Sequence, residues 1–139
     1  MPALDRYHET VRNALIKEGW TITDDPLQLT VGKRTLSVDL GAERVLIGAE
    51  RDKERIAVEI KTFGGMSPVA DLQQAMGQFL MYKTILAQTE PERTLYLAVS
   101  DEVRDSILSE ELGQLMLQEH IERVLYFSVE REEIIEWKL

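Results

Sequence analysis

The sequence contains no cysteine. That excludes a disulfide framework, a thiolate zinc site and a cysteine nucleophile, and it fits a reducing compartment. No apolar run is long enough to span a bilayer, and the opening MPALDRYHETVR lacks the apolar stretch of a signal peptide. A cytoplasmic protein with no membrane partner is the expectation. Gly41 and Gly48, or Gly64 and Gly65, form no phosphate-cradling loop, and no Lys-Ser/Thr pair completes one. No serine sits in a nucleophile elbow, so a Ser-His-Asp arrangement is not expected. His8 and His120 have no matching ligands at useful spacing and are assigned surface or packing roles. Trp20 and Trp137 are too isolated to stack nucleic-acid bases. No linker, repeat or low-complexity segment divides the chain.

The 139 residues suit one domain over residues 1–139, large enough to bury a core without covalent staples. The formal net charge of −9 sits awkwardly with nucleic-acid binding, which relies on cationic groups to neutralise phosphates. The charge is uneven, however. Residues 1–32 carry −2, residues 33–61 carry +1, residues 62–100 carry −1 and residues 101–139 carry −7. A DNA-facing middle with an acidic far side fits this map, and so does an acidic surface that docks on a partner protein.

Helical spacing of Leu4, Tyr7, Val11, Ala14 and Leu15, stopped by Gly19, predicts a helix over 4–18. WTIT (20–23) reads as a short strand, followed by a loop with Asp24, Asp25 and Pro26. Leu36, Val38 and Leu40 alternate with polar residues in a strand over 34–40, interrupted by Gly41. A strand over 44–50 and a charged turn at Asp52-Lys53-Glu54 lead into a strand over 55–63. There Ile56, Val58 and Ile60 face one way, with Ala57, Glu59, Lys61 and Phe63 facing the other. Ser67-Pro68 opens a helix to about Gln88, with a hydroxyl cap and proline in the first turn. Its expected inner side holds Val69, Leu72, Met76, Phe79, Leu80 and Lys83. TLYLAVS (94–100) is apolar enough for a central strand. An acidic helix over 101–119, a strand over 124–129 and an edge strand over 132–138 follow. The expected architecture is α/β (α+β), a mixed central sheet flanked by helices in the order αβββαβ followed by αβ.

Asp39 at the end of one strand and Glu59-x-Lys61 on another can bring two carboxylates and an ammonium around a hard cation. Oxygen ligands of this kind hold Mg²⁺ or Mn²⁺, and such an ion polarises a phosphoryl oxygen and acidifies a bound water. Lys61 would orient the attacking water or balance charge on the phosphate. Gln78 and Tyr82 lie one turn apart on the following helix, on a face that can reach this site. Glu9 on the first helix is a further acidic candidate. Phosphodiester hydrolysis is the chemistry that this set suits.

With those residues placed, the chain resembles the PD-(D/E)XK restriction-endonuclease-like superfamily. Asp39 and Glu59-x-Lys61 stand at its metal-binding positions, Glu9 matches the helical acid of some members, and Gln78 with Tyr82 matches the Q-x-x-x-Y element of the RecB-type branch. Val38 replaces the proline of the motif's name. A broader resemblance, carried by YHETVRNALIKEGWTITDDPLQL, VDLGAE, IAVEIKTF, AMGQFLMYK, PERTLYLAV and LGQLMLQE, is to the XisH family of fdxN-element excision controlling factors. It implies a role in excision of a DNA element, together with a site-specific recombinase and a second small factor, XisI. Two functions follow: an accessory factor built on a nuclease fold, or an active Mg²⁺- or Mn²⁺-dependent DNA endonuclease held in check by a partner. DNA contact is expected with a partner's help. A homodimer and a mixed assembly both stay open.

Overall fold

A computed structural model describes residues 6–45 and 53–138. Leu4 of the first expected helix, residues 46–50 of the strand expected over 44–50, and Asp52 of the charged turn lie outside these. The first helix is α1 (His8–Lys17). Val11, Ala14 and Leu15 bury its inner face, and Gly19 at φ +92 ends it. The Trp20 N–H reaches back to the Leu15 carbonyl at 3.1 Å, a closure that needs the left-handed backbone glycine adopts cheaply.

Five strands follow before the second helix: β1 (Thr21–Asp24), β2 (Leu27–Val31), β3 (Arg34–Val38), β4 (Leu40–Val45) and β5 (Lys53–Ile60). Then come α2 (Pro68–Thr89), β6 (Arg93–Ser100), α3 (Asp101–Arg104), a 3-10 turn (Ile107–Ser109), α4 (Glu111–Glu119), β7 (Val124–Ser128) and β8 (Glu133–Lys138). The main sheet has the order β1-β4-β5-β6-β7-β8, parallel across β5, β6 and β7 and antiparallel elsewhere, and β2 with β3 forms a separate two-stranded ribbon. The layered plan is the expected one: a mixed sheet with helices on its faces.

Both faces of the sheet are dry. On the α1 side, Val11 and Leu15 meet Leu40, Ile56, Val58, Ile60, Tyr96 and Phe127. On the other, Leu72, Phe79 and Leu86 of α2 cover Ala57, Leu97 and Val99. Strand β6 feeds both clusters, which explains its nearly unbroken apolar run.

Four local expectations change. Residues 27–31 form a strand, overlooked because the Asp24-Asp25-Pro26 signal reads as a loop continuing onward. The strand expected over 34–40 breaks at Asp39 rather than at Gly41, and β4 runs straight through that glycine. Gly41 is there for space, since a Cβ would lie 2.8 Å from the Arg93 guanidinium and 2.9 Å from the Asp24 carboxylate. The helix expected over 101–119 is three pieces. Ser106 Oγ donates to the Glu102 carbonyl at 2.8 Å and Ser109 Oγ to the Ser106 carbonyl at 2.7 Å, so side chains compete for the helical acceptors. Gly113 then lets α4 cross the 3-10 turn where any Cβ would collide with the Ile107 carbonyl. Finally, the inner face of α2 is Leu72, Ala75, Phe79, Tyr82 and Leu86. Val69 and Leu80 lie outside, and Lys83 pairs with Glu122 at the surface. The Ser67 cap is as expected, accepting the Ala70 N–H at 3.2 Å.

Candidate metal centre

Asp39 and Glu59 meet because of two local facts. The chain bends at Asp39 as it leaves the ribbon for the main sheet, and β4 pairs with β5 so that Leu40 stands opposite Val58. One step further along this antiparallel register, Asp39 falls opposite Glu59. Their backbones then tie them reciprocally. The Asp39 N–H donates to Glu59 Oε1 at 3.2 Å, and the Ile60 N–H donates to Asp39 Oδ2 at 2.8 Å. Each carboxylate is held by the strand that carries the other.

Glu59 is only 6% exposed. Burial, reinforced by the negative charge of Asp39, pushes its carboxyl up to about 8. A second carboxylate in so dry a place raises the affinity of the pair for a proton or a cation. Tyr82 responds to the same field: burial, then the charges of Glu59 and Asp39, push its phenol up to about 12. It therefore stays protonated, a hydrogen-bond donor facing the acidic pair.

Lys61, two residues beyond Glu59, continues β5's pairing with β6 through its N–H to the Ala98 carbonyl at 3.0 Å. Its Nζ donates to Gln74 Oε1 at 3.2 Å. Sequence reasoning missed Gln74. The signal was present, because Gln74, Gln78 and Tyr82 recur at intervals of four along one face of α2. Gln74 touches Lys61 and Tyr82 senses both carboxylates, so Gln78 lies between two residues that reach the site. Its Oε1 is buried with no hydrogen-bond partner. Orphaned buried acceptors are rare, and this one is suited to a cation or to a water bound to it.

Glu9 is placed with His8 and Asp25, their ligand-capable atoms within 4.8 Å of one another. Among the described residues, this is the one such cluster of three, and it includes neither Asp39 nor Glu59. Asp24 pairs with Gly41, so Asp25 lies at the same end of the sheet as Asp39, one strand further out. Its carboxylate is already served by positive or donor groups: His8 Nε2 at 2.7 Å on Oδ1 and Arg12 Nε at 3.3 Å on Oδ2. His8 is 2% exposed, a packing role rather than a surface one.

The donor set at Asp39 and Glu59 fits a hard divalent ion. Two carboxylate oxygen sources and no sulfur suit a hard ion such as Mg²⁺ or Mn²⁺ better than softer metals.

A family model described as XisH protein matches residues 1–135. Among solved structures, an XisH family protein from Nostoc punctiforme superposes with a TM-score of 0.85 at 36% identity, over 97% of this chain and 100% of that one. A fdxN element excision controlling factor protein from Anabaena variabilis superposes with a TM-score of 0.83 at 35% identity, over 96% of this chain and 98% of that one. No curated protein matches the chain.

Proposed function

Since the chain belongs to the XisH family, we propose that it is a controlling factor for site-specific excision of a DNA element, built on a restriction-endonuclease-like fold whose carboxylate pair binds Mg²⁺ or Mn²⁺. The relative from Anabaena variabilis supports the excision role. The single observation behind the metal is the juxtaposition of Asp39 with a buried Glu59 whose proton affinity is raised.

In this reading Asp39 and Glu59 are the ligands, with Gln78 Oε1 and Tyr82 supporting the water shell. A bound ion would polarise a phosphoryl oxygen and lower the pKa of a water. If the chain also cuts DNA, Lys61, steered by Gln74, would supply a positive charge beside the scissile phosphate and orient the nucleophile. Glu9 lies at the same sheet end, with His8 and Asp25 rather than with the carboxylate pair. The acidic residues concentrated in 101–139 form the surface for a small XisI-like protein and a recombinase. Net repulsion from DNA makes such partners useful, because the chain alone is expected to hold duplex weakly at physiological salt.

A second reading, an active endonuclease, is favoured by the survival of all three groups, Asp39, Glu59 and Lys61, in one place. Two copies would then be needed to cut both strands, either as a homodimer or within a mixed assembly. Calorimetry with Mn²⁺ near pH 8 tests the shared core. One binding event is expected, lost in Asp39→Ala and in Glu59→Ala. Absence of binding by the unaltered chain, or equal binding by both variants, would remove the metal from the proposal.

A further inference from the structure

The ribbon of β2 and β3 stands apart from the main sheet. An isolated two-stranded hairpin is marginal in water, and this one is stabilised by its inner face. Leu27, Leu29 and Val38 are buried, with Leu36 packed beside them, in the cluster that contains Leu72 and Phe79 of α2. The opposite face is set by register. Gln28 pairs with Ser37 and Thr30 with Thr35, and all four are exposed. They make a row of short, uncharged side chains that both donate and accept hydrogen bonds. The turn at Gly32, with φ +58, presents Lys33 and Arg34 at the outer end. Among the described residues no ion pair or side-chain hydrogen bond engages either cation.

The charge pattern is what sets this element apart. The chain has 25 acidic residues, yet none lies between Pro26 and Val38, and between Lys61 and Thr89 the sole acid is Asp71. The ribbon and the helix beneath it thus form an acid-poor surface on a −9 protein. Two strands about 5 Å apart fit a major groove about 12 Å wide, where polar side chains read base edges and cations meet phosphates. The ribbon's last residue, Val38, leads straight into Asp39.

We propose that the β2–β3 ribbon is a duplex-DNA-binding element. It enters the major groove with Gln28, Thr30, Thr35 and Ser37 toward the bases and Lys33 and Arg34 on the backbone, setting DNA in register with the carboxylate pair. This rests on the reading of the chain as acting on DNA, but it does not require the metal.

The experiment is fluorescence anisotropy of the full chain on a short labelled duplex at about 50 mM salt and below, with Ca²⁺ present so that binding is read without cutting. Lys33→Ala with Arg34→Ala should weaken binding roughly tenfold or more and make the slope of log affinity against log salt shallower by about 2. Thr35→Glu, which places an acid on the outer face, should abolish binding while circular dichroism stays unchanged. Arg131→Ala with Lys138→Ala, the same charge loss beside the far edge strand, should leave the slope alone. The proposal is overturned if the ribbon variants bind like the parent, if the remote pair loses as much, if single-stranded DNA of the same length binds as tightly, or if the parent binds no duplex. Loss of metal binding in calorimetry with the ribbon effects intact would remove the metal site and leave the ribbon standing.

Discussion

Two carboxylate clusters sit at one end of the sheet, and their surroundings differ in sign. At Asp25, the His8 ring and the Arg12 guanidinium lie on the carboxylate oxygens. At Glu59, burial and the charge of Asp39 raise the proton affinity. The first cluster clasps α1 to the loop after β1. The second holds unfavourable electrostatics that a bound cation would relieve. Similar residue types at one end of the sheet thus become a brace in one case and a candidate ligand set in the other.

The comparison breaks most visibly at Lys61. In the endonuclease reading, Lys61→Ala should lower Mn²⁺-dependent nicking of supercoiled DNA, assayed with the partner present, by about a hundredfold or more. Calorimetric Mn²⁺ binding and the urea midpoint should stay close to the parent's. Unchanged nicking would trace the activity to a contaminant.

The brace is tested by Asp25→Ala. Removing the acceptor leaves buried His8 without its partner, and stability measured by urea denaturation should fall by about 1–3 kcal/mol. Mn²⁺ binding at Asp39 and Glu59 should persist. Loss of metal binding in a folded Asp25→Ala protein would show that the two clusters are one site.

A subtler distinction is the response to pH. The Glu59 carboxyl is raised from 4.5 to about 8 in the fold. Between those values the metal-free folded state keeps a proton that the unfolded state has released, so this group's contribution to stability falls as pH rises through that window. Glu59→Gln lacks the titration. Its stability in chelator should therefore depend less on pH from about 5 to 8 than the parent's, and it should be the more stable of the two at the upper end. Equal pH profiles would mean that Glu59 ionises freely.

The smallest expected effect is at Gln74. Gln74→Ala removes the acceptor that steers Lys61, so nicking should drop several-fold at unchanged Mn²⁺ affinity, with stability altered by about 0.5 kcal/mol or less because the contact is exposed. A loss as large as that of Lys61→Ala would make Gln74 a direct participant.

The meeting of Asp39 with Glu59 was legible because strand alternation fixes which face a side chain takes, and both residues sit at strand ends. The Ser67-Pro68 start of α2 was legible because a hydroxyl cap and a first-turn proline are local signals. What escaped depends on contacts that sequence spacing does not carry. The ribbon was hidden by an Asp-Asp-Pro turn signal that ends one strand and begins another at once. Gly41 read as a breaker and Gly113 as an ordinary helix position, yet both admit a neighbour that a Cβ would displace. The acidic helix fractured because serine hydroxyls captured its carbonyls. Glu9 was assigned from its helical position, but its neighbours His8 and Asp25 come from a helix and a loop whose packing only the fold determines.

The buried acid at Glu59 also sets stability against chemistry at one position. A change from glutamate to glutamine needs one nucleotide substitution, keeps the side chain's size, and removes a buried ionisable group that weakens the metal-free protein at neutral pH. Stabilising substitutions of this kind commonly cost function where activity needs a destabilised site. Glutamine at position 59 would calm the core, but it would also remove the negative charge that the proposed ion needs.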